Sequence, residues 1–467
     1  MNSAEEMASF VAEKGTPDAV NDSSPAAAAI DSSGFGFYNQ GNHDDQIAGD
    51  DDGGGRGPGL LDAALDQLEA ALSKPTKVWG HKDRLFCAAF GPSGRAVATS
   101  SADGTARVWD VTGDGDAGAG GAGGAGAGAG AGAVGARQRC ELRGHTGGEV
   151  LRCAWHPDAD AHMVATGGSD GTARLWNVGA DAGRTGTERC AVPVAEDEQV
   201  YALAFASQGA RLLVGYDDTL LQWDVAGQRT VHGARFAGVG AAAPHGGAAR
   251  NPDSKAFVFD VAMPPTGGGG GGGGGAGELA AVGLSDGTIR VLDLRQPPPA
   301  AAATVKAHER FVASCAFSAD GTALVSASGD GSAAVWDART WGLRAVLRGH
   351  ARAVFGAAFW PGSELVVTWG ADGALIGWHP SDEPDEYALC ARFERFPLYS
   401  VALSADGAFA ALCGGESSVM GIMDWRLASC AGGSGALLRP QQQQQQSDGA
   451  PSVGAAPLAV ADQWTNR

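Results

Sequence analysis

The 467-residue sequence predicts an all-β fold in which small four-stranded sheets stack radially and close into a ring. Three observations carry this expectation. The phrase "SADGTARVWD" at 101 returns as "GSDGTARLWN" at 168, "LSDGTIRVLD" at 284, "SGDGSAAVWD" at 328 and "GADGALIGWH" at 370. Measured at its penultimate position (Trp109, Trp176, Trp223, Leu292, Trp336, Trp378 and Met423), the repeat occurs seven times, mostly at intervals of 42 to 47 residues. The two longer intervals, 67 and 69, contain a Gly/Ala-rich insertion at 113–136 and a Gly-rich insertion at 264–277, the second accompanied by the 226–250 stretch. A period in the forties marks a repeat array whose units are each too small to bury their own faces.

Each unit has one internal grammar. A short apolar run ends in an aromatic, often followed by x-Pro, as in "FCAAFGP", "VLRCAWHP" and "VFGAAFWP"; this is the first strand. Pro92, Pro157 and Pro361 fall just beyond it, where a missing amide hydrogen does no damage. A second run precedes Asp-Gly, as in "AVATSSADG" and "ALVSASGDG". Its successive small or apolar residues, such as Val97, Ala98 and Thr99, do not alternate, which suits a sheet covered on both faces. The third run ends in Trp-Asp, and Ser/Asp/Gly turns separate the runs. Sheets with two neighbours each, stacked around an axis, form a β-propeller. The stretch "TKVW" at 76–79 stands where every other unit has its outermost strand, so it is expected to pair with the last blade and remove the exposed edges. The first insertion then lies between the third and outer strands of blade 1, and the polyglycine between the first and second strands of blade 4.

These units resemble WD repeats over roughly residues 76–426. Gly80-His81, Gly144-His145 and Gly349-His350, with Ala307-His308 as a variant, supply the family's Gly-His, in phase with Trp-Asp. The turn aspartate follows each histidine by 22 residues, or by 25 in the second unit. The resemblance implies a seven-bladed WD-repeat β-propeller, flanked by N- and C-terminal extensions whose composition predicts disorder. It also implies a buried hydrogen-bond chain of His, Ser/Thr, Asp and Trp in four units. The sets are His81, Thr99, Asp103 and Trp109; His145, Thr166, Asp170 and Trp176; His308, Ser326, Asp330 and Trp336; and His350, Thr368, Asp372 and Trp378. Units three, four and seven lack the histidine. Ser, His and Asp together in unit five have the composition of a hydrolase triad. A nucleophile is needed once, however, and this constellation appears four times with a tryptophan attached, so its role is read as structural and no catalytic residue is assigned.

Composition sets further bounds. Net charge is −20, and the first 75 residues hold 14 acids against Lys14, Arg56 and Lys74, so about −11 lies there. Without a basic stripe, the counterion-release term that drives direct nucleic-acid binding has nothing to act on. No run of 18 apolar residues occurs, so membrane insertion is not expected and a cytoplasmic or nuclear location is. The eight cysteines form no C-x-x-C pair, and Cys153 and Cys315, at one place in a repeated strand, read as reduced core thiols. No H-e-x-x-H motif, paired Cys/His spacing or phosphate loop points to a metal or other cofactor. Residues 1–58 form an acidic arm expected to be disordered, as is the tail at 432–467 with its polyglutamine. At 59–74, Leu61, Leu65, Leu68 and Leu72 recur at helical spacing before Pro75, predicting one amphipathic helix that packs on the propeller or lies in a partner's groove.

Function is therefore expected on the surfaces, as a non-catalytic scaffold or adaptor, with the propeller itself monomeric. Asp293 with Arg295, and Asp337 with Arg339, end the third strands of adjacent blades. The segment "LVSASGDGSAAVWDAR" resembles the docking motif of cullin-based ubiquitin-ligase substrate receptors, although Ala338 and Leu292 depart from it. That resemblance implies a ligase adaptor as partner, bound through these arginines and the 59–74 helix. On the opposite rim Arg84, Arg310 and Arg352 follow the Gly-His positions and are expected to meet an acidic peptide at the central opening.

Overall fold

A computed structural model describes residues 76–112, 135–146, 148–179, 183–194, 198–237, 255–265, 279–295, 299–380, 387–394, 397–414 and 418–424. The acidic arm, the 59–74 helix, the glutamine-rich tail and most of both insertions lie outside these residues.

The described chain forms seven antiparallel four-stranded sheets. β1 (Thr76–Trp79) is followed by blade 1, made of β2 (Leu85–Phe90), β3 (Ala96–Ser101), β4 (Thr105–Thr112) and β5 (Gly135–Arg143). Blade 2 contains β6 (Val150–Trp155), β7 (Met163–Gly168), β8 (Thr172–Asn177) and β9 (Thr187–Pro193). Blade 3 contains β10 (Val200–Ala206), β11 (Arg211–Tyr216), β12 (Thr219–Asp224) and β13 (Arg229–Arg235). Blade 4 has β14 (Val258–Ala262), β15 (Leu279–Leu284), β16 (Thr288–Asp293) and β17 (Ala300–Lys306). Blade 5 has β18 (Val312–Phe317), β19 (Ala323–Ser328), β20 (Ser332–Asp337) and β21 (Leu343–Arg348). Blade 6 has β22 (Val354–Phe359), β23 (Val366–Gly370), β24 (Ala374–Pro380) and β25 (Tyr387–Glu394). Blade 7 consists of β26 (Leu398–Leu403), β27 (Phe409–Gly414) and β28 (Val419–Asp424), and β1 completes it by pairing Thr76 with Ile422 and Trp79 with Val419.

The apolar cores lie in the seams between blades, which explains the unbroken apolar reading of the second strands. β3 and β19 are buried along their whole length. Val97 and Trp109 of blade 1 pack with Phe409 and Ile422 of blade 7, and Cys87, Val108, Val164 and Trp176 fill the seam between blades 1 and 2. The remaining five seams are filled in the same way. Each fully buried leucine, such as Leu213 or Leu284, contributes about 1.5–3 kcal/mol of apolar transfer.

One boundary differs from the sequence reading. Gly135 and Ala136, counted there with the first insertion, are the opening residues of β5, paired with Thr112 and Val111. A backbone ladder needs no side chain, so β4 extends its partner into the glycine-rich sequence.

Candidate functional site: the blade struts and the two rims

The Asp-Gly turn between the second and third strands brings the four-residue sets together. In blade 1, His81 Nδ1 lies 3.0 Å from the Asp103 carboxylate and Nε2 lies 2.9 Å from Thr99 Oγ1. The Trp109 indole N–H donates to the same hydroxyl at 2.9 Å. Blade 2 repeats this with His145, Asp170, Thr166 and Trp176 at 2.9, 2.8 and 2.8 Å. Blade 5 does so with His308, Asp330, Ser326 and Trp336 at 3.1, 2.8 and 2.9 Å. Blade 6 does so with His350, Asp372, Thr368 and Trp378 at 3.0, 2.8 and 2.9 Å. The His81 and Asp103 side chains are only 1% and 6% exposed.

Proton direction along the chain follows from the carboxylates. Burial alone pushes Asp103 up, but hydrogen bonds from His81, Thr105 and the Lys82 amide outweigh it and hold the carboxyl well below the usual range. Asp170, Asp330 and Asp372 are lowered against the same opposing burial, with their own histidines as the main cause. An ionised carboxylate only accepts, so Nδ1 carries the histidine proton, the hydroxyl donates to Nε2, and the indole donates to the hydroxyl. Every polar atom of the set is thereby used.

The structure adds members that the sequence reading passed over. Thr105, Thr172 and Ser332 donate hydroxyl bonds of 2.6, 2.7 and 2.6 Å to their turn aspartates. Their signal was the third residue of each Asp-Gly-Thr/Ser. The Gly of Gly-His also has a steric reason, since a Cβ on Gly80 would stand 2.5 Å from the Trp109 ring. In blades 3, 4 and 7 the hydroxyl position is held by the buried Val214, Val282 and Leu412. The Trp223 indole of blade 3 consequently finds no oxygen acceptor among the described residues, and the Cys190 sulfur lies beside it.

A second repeated feature surrounds the axis. All seven innermost strands carry a bulge at their second residue, which falls at Phe86, Leu151, Tyr201, Phe259, Ala313, Phe355 and Tyr399. Rings from successive blades meet: Phe355 and Tyr399 at 5.8 Å, Tyr399 and Phe86 at 6.4 Å, and Tyr201 and Phe259 at 6.2 Å. The result is an aromatic collar near the upper rim, where the first strands begin.

The rim residues have different surroundings. Arg84 pairs with Glu149 at 3.6 Å and lies over the Phe86 ring at 5.8 Å, so it is part of the collar's wall. Arg310 donates to the Gly329 carbonyl at 3.3 Å, whereas Arg352 is exposed. On the lower rim, where the third strands end, Arg295 clasps its own Asp293 through Nε and Nη2 at 2.8 and 2.7 Å. Its side chain is still 52% exposed. Asp337 accepts from Arg344 at 2.6 Å and from Thr340 at 2.9 Å, and these bonds lower its carboxyl. Among the described residues nothing holds the exposed Arg339 guanidinium; only its backbone amide bonds to Asp337. Also among the described residues, no group of His, Cys, Asp and Glu is arranged to hold a metal, and no helix is long and apolar enough to cross a membrane.

Comparison with known proteins agrees with this geometry. The family model "WD domain, G-beta repeat" matches residues 73–110, 136–177 and 301–337, which include the inner three strands of blades 1 (as far as Asp110), 2 and 5. Human "Angio-associated migratory cell protein" is 24% identical over 332 residues, covering 63% of this chain and 67% of its own. Human "WD repeat and SOCS box-containing protein 1" is 35% identical over 103 residues, 22% of this chain and 24% of its own. "THO complex subunit 3" of Arabidopsis thaliana is 27% identical over 158 residues, 34% of this chain and 42% of its own.

Proposed function

The chain is a WD-repeat β-propeller, and on that premise we propose that it is a non-catalytic scaffold or adaptor that binds other proteins through its two rims. One observation carries this reading. The imidazole, hydroxyl and carboxylate groups that could perform chemistry recur four times, and in each blade they are spent on one another inside the sheet. The surfaces left for recognition are the aromatic collar with Arg84, Arg310 and Arg352 above, and the Arg295 and Arg339 ends below. That one similar protein is named as a subunit of a complex supports the same reading. The test is to purify tagged full-length protein from its own cells, and to repeat this with Tyr399→Ala and Arg352→Glu in one variant and Arg295→Ala and Arg339→Ala in another. The reading expects stoichiometric protein partners that are lost from one variant while its thermal unfolding is unchanged. Elution alone, or a partner set indifferent to both variants, overturns it.

A second reading is narrower: a substrate receptor of a cullin-based ubiquitin ligase, docking through Arg295, Arg339 and residues 59–74. Its support is the placement of both arginines on one rim of adjacent blades, the exposed Arg339 guanidinium suited to a partner carboxylate, and the local likeness to a WD-repeat protein named for a SOCS box. Recovery of the ligase adaptor with wild type, and its loss from the Arg295/Arg339 variant, is the expected result. Equal recovery from both removes the site, and no recovery from wild type removes the reading.

A further inference from the structure

Below the collar, the residue after the bulge reaches the neighbouring blade in several seams, and in two of them its side chain caps a backbone amide there. Ser400 Oγ accepts from the Ala88 amide at 3.2 Å, and the Asp260 carboxylate accepts from the Cys315 amide at 2.9 Å. Cys87 occupies the equivalent place in blade 1, where its thiol donates to the Ala88 carbonyl at 3.6 Å and reaches the Cys153 carbonyl of blade 2 at 3.8 Å. A position filled elsewhere by a hydroxyl or a carboxylate is here filled by a thiol.

The two cysteines face each other. Cys87 Sγ lies 3.8 Å from the Cys153 carbonyl oxygen and Cys153 Sγ lies 4.0 Å from the Cys87 carbonyl oxygen, so each sulfur reaches the other residue's backbone across the seam. We propose that Cys87 and Cys153 are a redox-active pair, in which a peroxide oxidises Cys87 and Cys153 then closes a disulfide joining the innermost strands of blades 1 and 2.

The surroundings separate the roles. The hydrogen bond from the Cys153 thiol lowers Cys87 against the upward push of burial, helped by the Arg152 guanidinium and by the Cys153 amide and Ser400. Cys153 is correspondingly raised. Cys87 is therefore the thiolate and the nucleophile. Its sulfur attacks one peroxide oxygen, forming S–O as O–O breaks, and the departing hydroxide takes a proton to leave as water. The Cys153 sulfur then attacks the sulfenic sulfur: S–S forms, S–O breaks, and the Cys153 proton leaves with the second water. Two thiols are oxidised and one peroxide is reduced. Cys87, Cys153, Cys315 and Cys413 are all buried, Cys315 as nearly as Cys153, so what singles out the pair is the neighbouring sulfur and not exposure. Cys413 and Cys315 are raised by burial and offered no thiol bond.

The experiment is graded hydrogen peroxide on the folded full-length protein, followed by alkylation in denaturant and peptide mapping. The expected result is a Cys87–Cys153 cross-linked peptide that a dithiol reductant removes, formed at least tenfold faster than loss of alkylation at Cys315 or Cys413. Both cysteines remaining alkylatable, or cross-links spread evenly over all cysteines, overturns the proposal. In Cys153→Ser, Cys87 should accumulate as a sulfenic acid trapped by dimedone; Cys87 left unlabelled there, in protein whose circular dichroism matches wild type, also overturns it. The wild-type map decides if that variant fails to fold.

Discussion

Thr99 is the residue through which one blade strut can be cut cleanly, because its hydroxyl serves both His81 and Trp109. Thr99→Val keeps the shape and leaves a buried imidazole nitrogen and a buried indole N–H unpaired. The expected loss is about 1–3 kcal/mol, read as a lower midpoint in urea with an unchanged slope. Blade 3 shows the same valine already in place at Val214, with Trp223 short of an oxygen acceptor and no histidine to satisfy. The strut carboxylates also set an acid limit. Asp103, Asp170, Asp330 and Asp372 are lowered in the folded state, so their contribution is complete above the unfolded carboxylate pKa, about 4, and is lost as pH falls below it toward the folded values. Thermal midpoints should therefore fall on acidification below about pH 4. Asp103→Asn should flatten part of that slope while lowering the neutral-pH midpoint.

Strands and turns were legible to different degrees. The Asp-Gly turns and Trp-Asp strand ends were readable because a turn and its strand are local, and local chemistry is written in consecutive residues. The inner bulges were not singled out, although "LF", "VL", "VY", "VF", "VA", "VF" and "LY" open the seven innermost strands; what they form is visible only once the blades stand around one axis. Arg152 was missed for the same reason. Its guanidinium donates at 2.6 Å to the Tyr201 carbonyl in blade 3, a contact fixed by the packing of blades and by nothing near Arg152 in sequence. The sequence places Arg295 two residues after Asp293 at a strand end, and only the folded turn shows that the carboxylate clasps the guanidinium. Between β14 and β15 the register is anchored by Ala262 opposite Ala281. Excising Gly267–Gly275 should accordingly change unfolding free energy by less than about 1 kcal/mol, since loop closure depends only weakly on length. A chemical denaturation series checks this.

For the molecule as a whole, stability resides in seams and each seam needs both its blades. The pairing of β1 with β28 is the joint that makes the last seam possible, with Val78, Met420 and Ile422 in the same core as Phe409 and Trp109. A chain beginning after Trp79 should expose the β28 edge, and size-exclusion chromatography should show association that the longer chain does not.

That joint also orders events on the ribosome. Thr76 is made more than three hundred residues before Ile422, which at about 5–20 residues per second leaves the nascent chain an open arc for roughly tens of seconds. Until Asp424 has emerged, the first strand has no sheet to enter, and a stall after blade 6 releases a product with two raw edges. Translation to the end of β28 thus sets the moment at which the ring can close.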